Sequence, residues 1–384
     1  MNNYYKNVRR MSDKMKISIV VPCFNVVRYL PMCLDSIFSN NCENVEVILI
    51  DDGSTDDMGR RLNQYFLNSN CQKNITFNYK NAKVKIIHQC NSGVSSARNT
   101  GIIMSSGDYI IFIDPDDIVS SEYFIEIKEF IEQCGNPDIV ITGFHKIVED
   151  NNGEIISEKE YLPNNLYKTS SVEETIHTIF PKYIGYSIDD ILDWTRNGGN
   201  LAARLEWGAV WRNIYSKKFL DSNKIIFDTS IHLNEDSMFN ALCFSKAKHV
   251  ETLNKGYYSY TIRPTGALMK NRSAELVNNK FALLNERSNI IENVKQRGYD
   301  FSIKDFAGSN IMSCFELIIK MPFKAKKKTC EYIRDNRVNA SIKQMPYTGK
   351  KKVDIPLFAL KHNLEVPMIY AVAIGKRIGF KFNL

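Results

Sequence analysis

The first 150 residues switch repeatedly between two hydrophobic periods, and that alternation leaves few architectures open. The run ISIVV (17–21) is continuously apolar, as a buried strand is; Val26, Leu30, Cys33, Leu34, Ile37 and Phe38 then recur at helical spacing. VEVILI (45–50) reads as a second strand, and Met58, Leu62, Tyr65 and Phe66 as the apolar face of a second helix. VKIIH (84–88) and residues 94–105 form the next strand and helix. YIIFI (109–113) is a fourth strand, followed by a helix carrying Phe124, Ile127, Phe130 and Ile131, and DIVITGF (138–144) closes the series. Strands that are apolar on both faces, separated by amphipathic helices, predict an α/β fold with a parallel sheet covered on both sides.

Such sheets bind ligands beyond the carboxyl ends of their strands. The loops leaving the first four strands are PCFN, DDGSTDD, QCNSGVSSARN and DPDD, and all four are expected to open on one edge. DPDD (114–117) ends an apolar strand on three carboxylates, Asp114, Asp116 and Asp117. A solvated Pro turn would carry the same letters. The position on the ligand edge favours a hard divalent cation, Mg²⁺ or Mn²⁺, shared with substrate phosphates. In DDGSTDD the structural role is a Gly turn with a Ser or Thr cap; the functional one is an Asp, with Asp52 the better placed, accepting from a base or ribose. Arg98, in GVSSARNTG (93–101), can reach a phosphate or a neighbouring carboxylate. NEDSMFN (234–240) places Glu235 and Asp236 at a helix start, where acids are also favoured by the helix dipole.

Several chemistries lose support. No G-x-G-x-x-G follows a strand, and there is no GxxxxGK[ST], HExxH or GxSxG. The six histidines lack metal-ligand spacing, which leaves His88 and His145 as ordinary residues. The nine cysteines are scattered without a CxxC pair, as expected for reduced thiols.

The separate pieces together resemble a family 2 glycosyltransferase of GT-A fold. ISIVVPCFNVVRYLPMCLDSI, EVILIDDGSTDD, NSGVSSARNTGI, GDYIIFIDPDDIV and LNEDSMFN stand in that family's order and spacing; WGAVWRNIYSKKFL (207–220) and YYSYTIRPTGALM (257–269) also fit. The resemblance covers about 17–269. It implies a mostly parallel sheet with helices on both faces and a transferase domain over 17–270. Residues 17–144 would form its nucleotide-sugar and metal half, and 145–270 its acceptor half. A polar tail (1–16) would precede the domain, and a basic, mainly helical region (271–384) would follow it.

The resemblance further implies donor binding by Pro22, Phe24, Asn25, Asp51, Asp52, Arg98 and Asp114, with Phe24 stacking on the base and Asp52 accepting from a uracil-like imide. It implies a divalent metal, Mn²⁺ or Mg²⁺, on Asp116 with Asp114 and Asp117. Asp236 would be the general base, with Glu235 beside it. The implied reaction is inverting transfer of a sugar from a nucleotide diphosphate, UDP foremost, to a saccharide or lipid-linked acceptor in cell-surface polysaccharide synthesis. Cys23 departs from the family's usual small Ser or Thr, and Pro115 stiffens the D-x-D turn. The rivals are a nucleotidyltransferase, for which PCFNVVRYLP offers only Arg28 as a basic group, and a non-catalytic nucleotide-sugar-binding module, against which the intact acids argue.

The net charge of +7 is uneven: residues 324–384 hold 14 Lys/Arg against 4 Asp/Glu. A body that is neutral to acidic with a basic end suggests an anionic partner, and an anionic membrane surface reached through Lys350–Lys352, Lys376, Arg377 and Lys381 is the expectation. MNNYYKNVRRMSDKMK lacks a signal-peptide core, and no stretch approaches the ~20 apolar residues of a span. The expected location is cytoplasmic, peripheral on the membrane's cytoplasmic face, with no nucleic-acid partner.

Overall fold

The computed structural model describes residues 15–67, 70, 73–264, 275–301, 304–320 and 325–377. The chain divides into two compact units, Met1–Thr178 with Ala209–Met269, and Ile179–Gly208 with Lys270–Leu384.

The first unit is built on a ten-stranded mixed sheet. Its strands are β1 (Ile17–Cys23), β2 (Val45–Asp51), β3 (Ile75–Tyr79), β4 (Ala82–His88), β5 (Tyr109–Phe112), β6 (Ile118–Val119), β7 (Ile139–Glu149), β8 (Ile155–Tyr161), β9 (Asn213–Ser216) and β10 (Val250–Ile262). The order is β3-β4-β2-β1-β5-β9-β7-β10-β6, with β8 on β7. Strands β4, β2, β1 and β5 run parallel, and β7 and β10 form a second parallel pair. Every residue of β1 and β2 is buried. Since successive side chains point to opposite faces, both faces of the sheet must be covered there. The helix Val94–Met104 lies against β1 at Gly101, where even a Cβ would overlap the Val20 side chain.

The antiparallel strands are those that the hydrophobic pattern did not reveal. β3 pairs with β4 through a hairpin at Lys80 and Asn81, both at positive φ. β9, only four residues long, separates β5 from β7. β6 is two residues long and sets Ile118 and Val119 against Ser259 and Tyr258 of β10. This last pairing brings the DPDD turn beside a strand more than a hundred residues away.

The second unit is helical. Its long helices are Leu276–Gln296 and Lys304–Lys320, followed by Lys326–Arg334, Asn336–Gln344, Lys351–Lys361 and Glu365–Arg377. Leu284, Ile311, Val338 and Leu357 are among its fully buried side chains. The buried Arg287 donates from Nε to the Ile184 carbonyl at 2.7 Å, tying 179–208, which the sequence reading placed in the acceptor half, to this unit. Lys381 lies outside the described residues, as do 1–14 and 265–274; the side chains of Lys376 and Arg377 are not described either.

Candidate active site

Four parallel strands end together, as their register requires: Cys23 lies opposite Asp51, and Asp51 opposite His88. The loops beyond them lock onto each other through side chains. Asn25, in the left-handed region at φ 54°, accepts from Thr55 N at 2.8 Å and donates its own N–H to Ser54 Oγ at 3.1 Å. Val27 N donates to Asp56 Oδ2 at 2.8 Å. Phe24, at the tip of β1, is 44% exposed, an apolar ring held out at the strand end and available for stacking. Pro22 behind it is buried within β1.

The acid pair of the second loop is occupied internally. Asp51 Oδ2 meets His88 Nδ1 at 2.8 Å, and Oδ1 accepts from Ser54 N at 2.9 Å. Burial acts to raise this carboxyl, but the bonds from His88 and Ser54 outweigh it and hold it low. Asp52 is 3% exposed; Oδ1 accepts from Gln89 Nε2 (2.7 Å) and Ser92 N (2.9 Å), and Oδ2 from Gly93 N (2.8 Å). Asp52 therefore shapes the loop that leads into the helix Val94–Met104.

The DPDD turn sorts its three carboxylates. Asp117 is 1% exposed; its Oδ2 accepts from Tyr258 Oη (2.8 Å) and its Oδ1 from Thr261 N (2.9 Å). Burial pushes its carboxyl well up, with Asp114 and Asp116 adding to the effect. Asp117 thus faces the protein and pins the turn to β10. The same Tyr258 hydroxyl accepts from Asp114 N at 3.0 Å. Asp116 is partly buried, and its side chain makes no hydrogen bond or ion pair with another described residue. Arg263 donates instead to the Asp116 carbonyl, at 2.6 Å. Burial raises the Asp116 carboxyl, Asp114 reinforces this, and Arg263 opposes it.

Arg98 joins this turn to the acidic helix start. Its Nη1 lies 2.5 Å from Asp236 Oδ1 and 3.6 Å from Glu235 Oε1, and its Nη2 lies 3.1 Å from Asp114 Oδ1. The guanidinium is 3% exposed and sits 5.5 Å from the Phe227 ring centroid. Burial alone would make it less basic, but Asp236, Asp114 and Glu235 outweigh that and keep it charged. Asp236 is the second residue of the helix Glu235–Phe244, which follows Asn234 at φ 64°. Burial raises its carboxyl, Arg98 opposes, and Glu235 and Asp114 push it further up. One cation thus holds three carboxylates drawn from two segments, and the outermost two, Asp114 and Asp236, keep 27% and 21% of their side chains exposed.

The Glycosyl transferase family 2 model matches residues 18–192. Over that span, somewhat less than half of its length, the chain is similar to glycosyltransferase family 2. Among its relatives, the uncharacterized glycosyltransferase EpsJ of Bacillus subtilis is 32% identical over 248 residues, 65% of this chain and 61% of EpsJ. Glycosyltransferase GlyA of Streptococcus pneumoniae is 27% identical over 281 residues, 73% of this chain and 35% of GlyA. The chain therefore spans less than two thirds of the length of these relatives. Among solved structures, S. aureus TarS 1–349 in complex with UDP-GlcNAc superposes with a TM-score of 0.56 at 17% identity, covering 96% of this chain and 93% of that one. The shared architecture is the GT-A fold expected from the motifs.

Four positioning residues were given no role by the sequence reading. Tyr258 and Thr261, which hold Asp117, and Arg263, which holds the Asp116 carbonyl, lie in YYSYTIRPTGALM, which fitted the resemblance as a stretch but not residue by residue. His88 was expected to be ordinary, yet it pairs with Asp51. Only the pairing of β6 with β10 brings the first three to the turn.

Proposed function

We propose that this protein is an inverting glycosyltransferase that moves a sugar from a nucleotide diphosphate, UDP in the first instance, to a saccharide or lipid-linked acceptor hydroxyl. The product would enter cell-surface polysaccharide, and the protein would work on the cytoplasmic side of the membrane. The observation that carries this is the placement of Asp114 and Asp236 on one buried arginine, with Asp116 beside them and Phe24 open at the neighbouring strand end. The UDP-GlcNAc complex of TarS supports a UDP-linked donor for the shared fold.

The residues fit a divalent cation shared with substrate better than one caged by protein. Among the described residues, no group of three or more His, Cys, Asp or Glu side chains is arranged to hold a metal ion by itself. Asp116 nevertheless offers a carboxylate that makes no hydrogen bond or ion pair with another described residue, beside a second one on Asp114. One or two carboxylates completed by phosphate oxygens is how Mg²⁺ is usually held, and Mn²⁺ suits the same oxygen ligands. Asp116 would hold the ion, with Asp114, and the ion would offset negative charge on the leaving diphosphate. Phe24 stacks on the base. Asp236, a carboxylate made more basic by burial, accepts the acceptor's proton as its oxygen attacks the sugar. Arg98 fixes the orientation of Asp236 and keeps it ionised, and Asp117 with Tyr258 keeps Asp116 facing the donor.

The test is release of nucleoside diphosphate from a panel of UDP- and GDP-sugars, with Mg²⁺ or Mn²⁺ and candidate acceptors. Turnover with at least one UDP-sugar, abolished by chelator and by Asp116→Asn, is the expected result. Absence of release from every donor, or release indifferent to both chelator and Asp116→Asn, refutes the reading.

A further inference from the structure

The helical unit carries a surface that packing within the unit does not explain. In the helix Lys351–Lys361, Val353, Leu357 and Leu360 form the buried stripe, at spacings of four and three. The opposite stripe, Lys351, Ile355, Phe358 and His362, has the same spacing and is exposed, with Ile355 at 64% and Phe358 at 49%. A helix on the surface of a soluble domain ordinarily turns charged and polar side chains outward. This one places an aliphatic and an aromatic side chain there. The pattern extends along the chain: among the described residues, six of the eighteen well-exposed large hydrophobic side chains fall within 347–374 (Tyr347, Ile355, Phe358, Leu364, Tyr370 and Ile374).

Lysines accompany these side chains, some seated on aromatic rings of the same unit: Lys352 on Trp194, Lys326 on Tyr370 and Lys361 on Tyr347. Lys350, Lys351 and Lys352 are all exposed at the start of the helix, the end at which the backbone dipole disfavours cations. The helix Lys326–Arg334 likewise opens on Lys326, Lys327 and Lys328. The one acid of the first turn, Asp354, does not balance Lys350–Lys352. It is used internally, accepting from Thr348 N and Gly349 N at 2.7 Å each and from Thr348 Oγ1 at 2.9 Å. Those bonds anchor the loop before the helix and hold the three lysines at its end. No described helix is long and apolar enough to cross a membrane.

We propose that the stripe Lys351, Ile355, Phe358 and His362, with Lys350 and Lys352 at its head, docks on an anionic lipid bilayer. This deepens the peripheral location proposed above and rests on that reading for its biological purpose. A helix face is convex, so its complement is a soft plane. Phe358 and Ile355 enter the boundary between headgroups and acyl chains, and the lysines meet acidic headgroups.

The experiment is co-sedimentation of the full chain with vesicles of phosphatidylcholine alone, or of phosphatidylcholine with phosphatidylglycerol, and UDP release is followed on the same samples. Binding is expected to the anionic vesicles only, and to weaken with salt. Replacing Lys350, Lys351 and Lys352 by Gln should lower the partition coefficient by about two orders of magnitude, at roughly fivefold for each positive charge removed. The Ile355→Ser/Phe358→Ser variant should also weaken binding, with far-UV circular dichroism and UDP release unchanged. The proposal is overturned if the wild type stays in the supernatant with anionic vesicles, if both variants bind as it does, or if dextran sulfate binds the protein and vesicles do not. Vesicle binding without UDP release would refute the transferase reading and leave this one standing.

Discussion

Arg98 and Asp236 set the acid–base behaviour of the site. A base must be ionised to accept a proton, so the rate falls as pH drops through the pKa of Asp236. Burial raises that pKa, and the acidic limb of the kcat profile is therefore expected above the ordinary carboxylate range. Arg98 opposes the rise, so Arg98→Met should move the limb to higher pH and leave three carboxylates around a neutral side chain. Breaking a fully buried pair costs about 3–5 kcal/mol, but Asp114 and Asp236 retain water access, so the loss of stability should stay below about 3 kcal/mol. Arg98→Lys cannot span both carboxylates with one planar fork and should recover only part of the activity. Asp236→Asn should lower kcat by about 10² to 10⁴ while UDP affinity persists. A kcat profile whose acidic limb is the same in wild type and Arg98→Met would remove Arg98 from this role.

The turn Asp114–Asp117 gives the cleanest test at the level of an element, because adjacent acids have opposite assignments. Asp117 is buried between Tyr258 and Thr261, and its carboxyl is pushed up by burial. Asp117→Asn preserves shape and most hydrogen bonding, so it should retain activity within about tenfold and cost about 1 kcal/mol. Asp116→Asn should abolish stimulation by Mn²⁺ or Mg²⁺ at full stability. A metal titration of UDP release, set beside thermal melts, reads both; the reverse ranking would restore Asp117 as the ligand. The sequence reading put the ion on Asp116 first, with Asp114 and Asp117, and what sets Asp117 apart came only from β10. The strands β1, β2, β4 and β5 and the convergence of their loops were legible because hydrophobic period is a local property. β9 and β6 were not, since four and two residues carry no period, and what fixes them is pairing with distant strands. Asp52 shows the same limit. Its place at a strand end was visible, but the three donors that occupy it come from the following loop.

At the scale of the molecule, the ion and the nucleotide should bind as one ligand. Asp116 offers one carboxylate and Asp114 is shared with Arg98, so the described residues supply too few oxygens there to hold Mn²⁺ or Mg²⁺ alone. Phosphate oxygens would supply the missing ligands, and the ion in turn would offset the repulsion between diphosphate and the Asp114, Asp116 and Asp236 cluster. Ligand binding to the folded state alone stabilises by about 2.7 kcal/mol at one hundred times Kd. In a domain of this size each kcal/mol moves Tm by roughly 2–4 °C. Mn²⁺ alone should therefore shift the melt little, UDP alone modestly, and the two together by several degrees more than the sum of their separate effects. Asp116→Asn should erase that excess with little change in the melt of the free protein, because the side chain makes no hydrogen bond or ion pair with another described residue, and its burial and the nearby Asp114 offset the attraction of Arg263. Differential scanning calorimetry of the four samples measures the coupling directly. Strict additivity of the two shifts would mean that metal and nucleotide do not share ligands at Asp116.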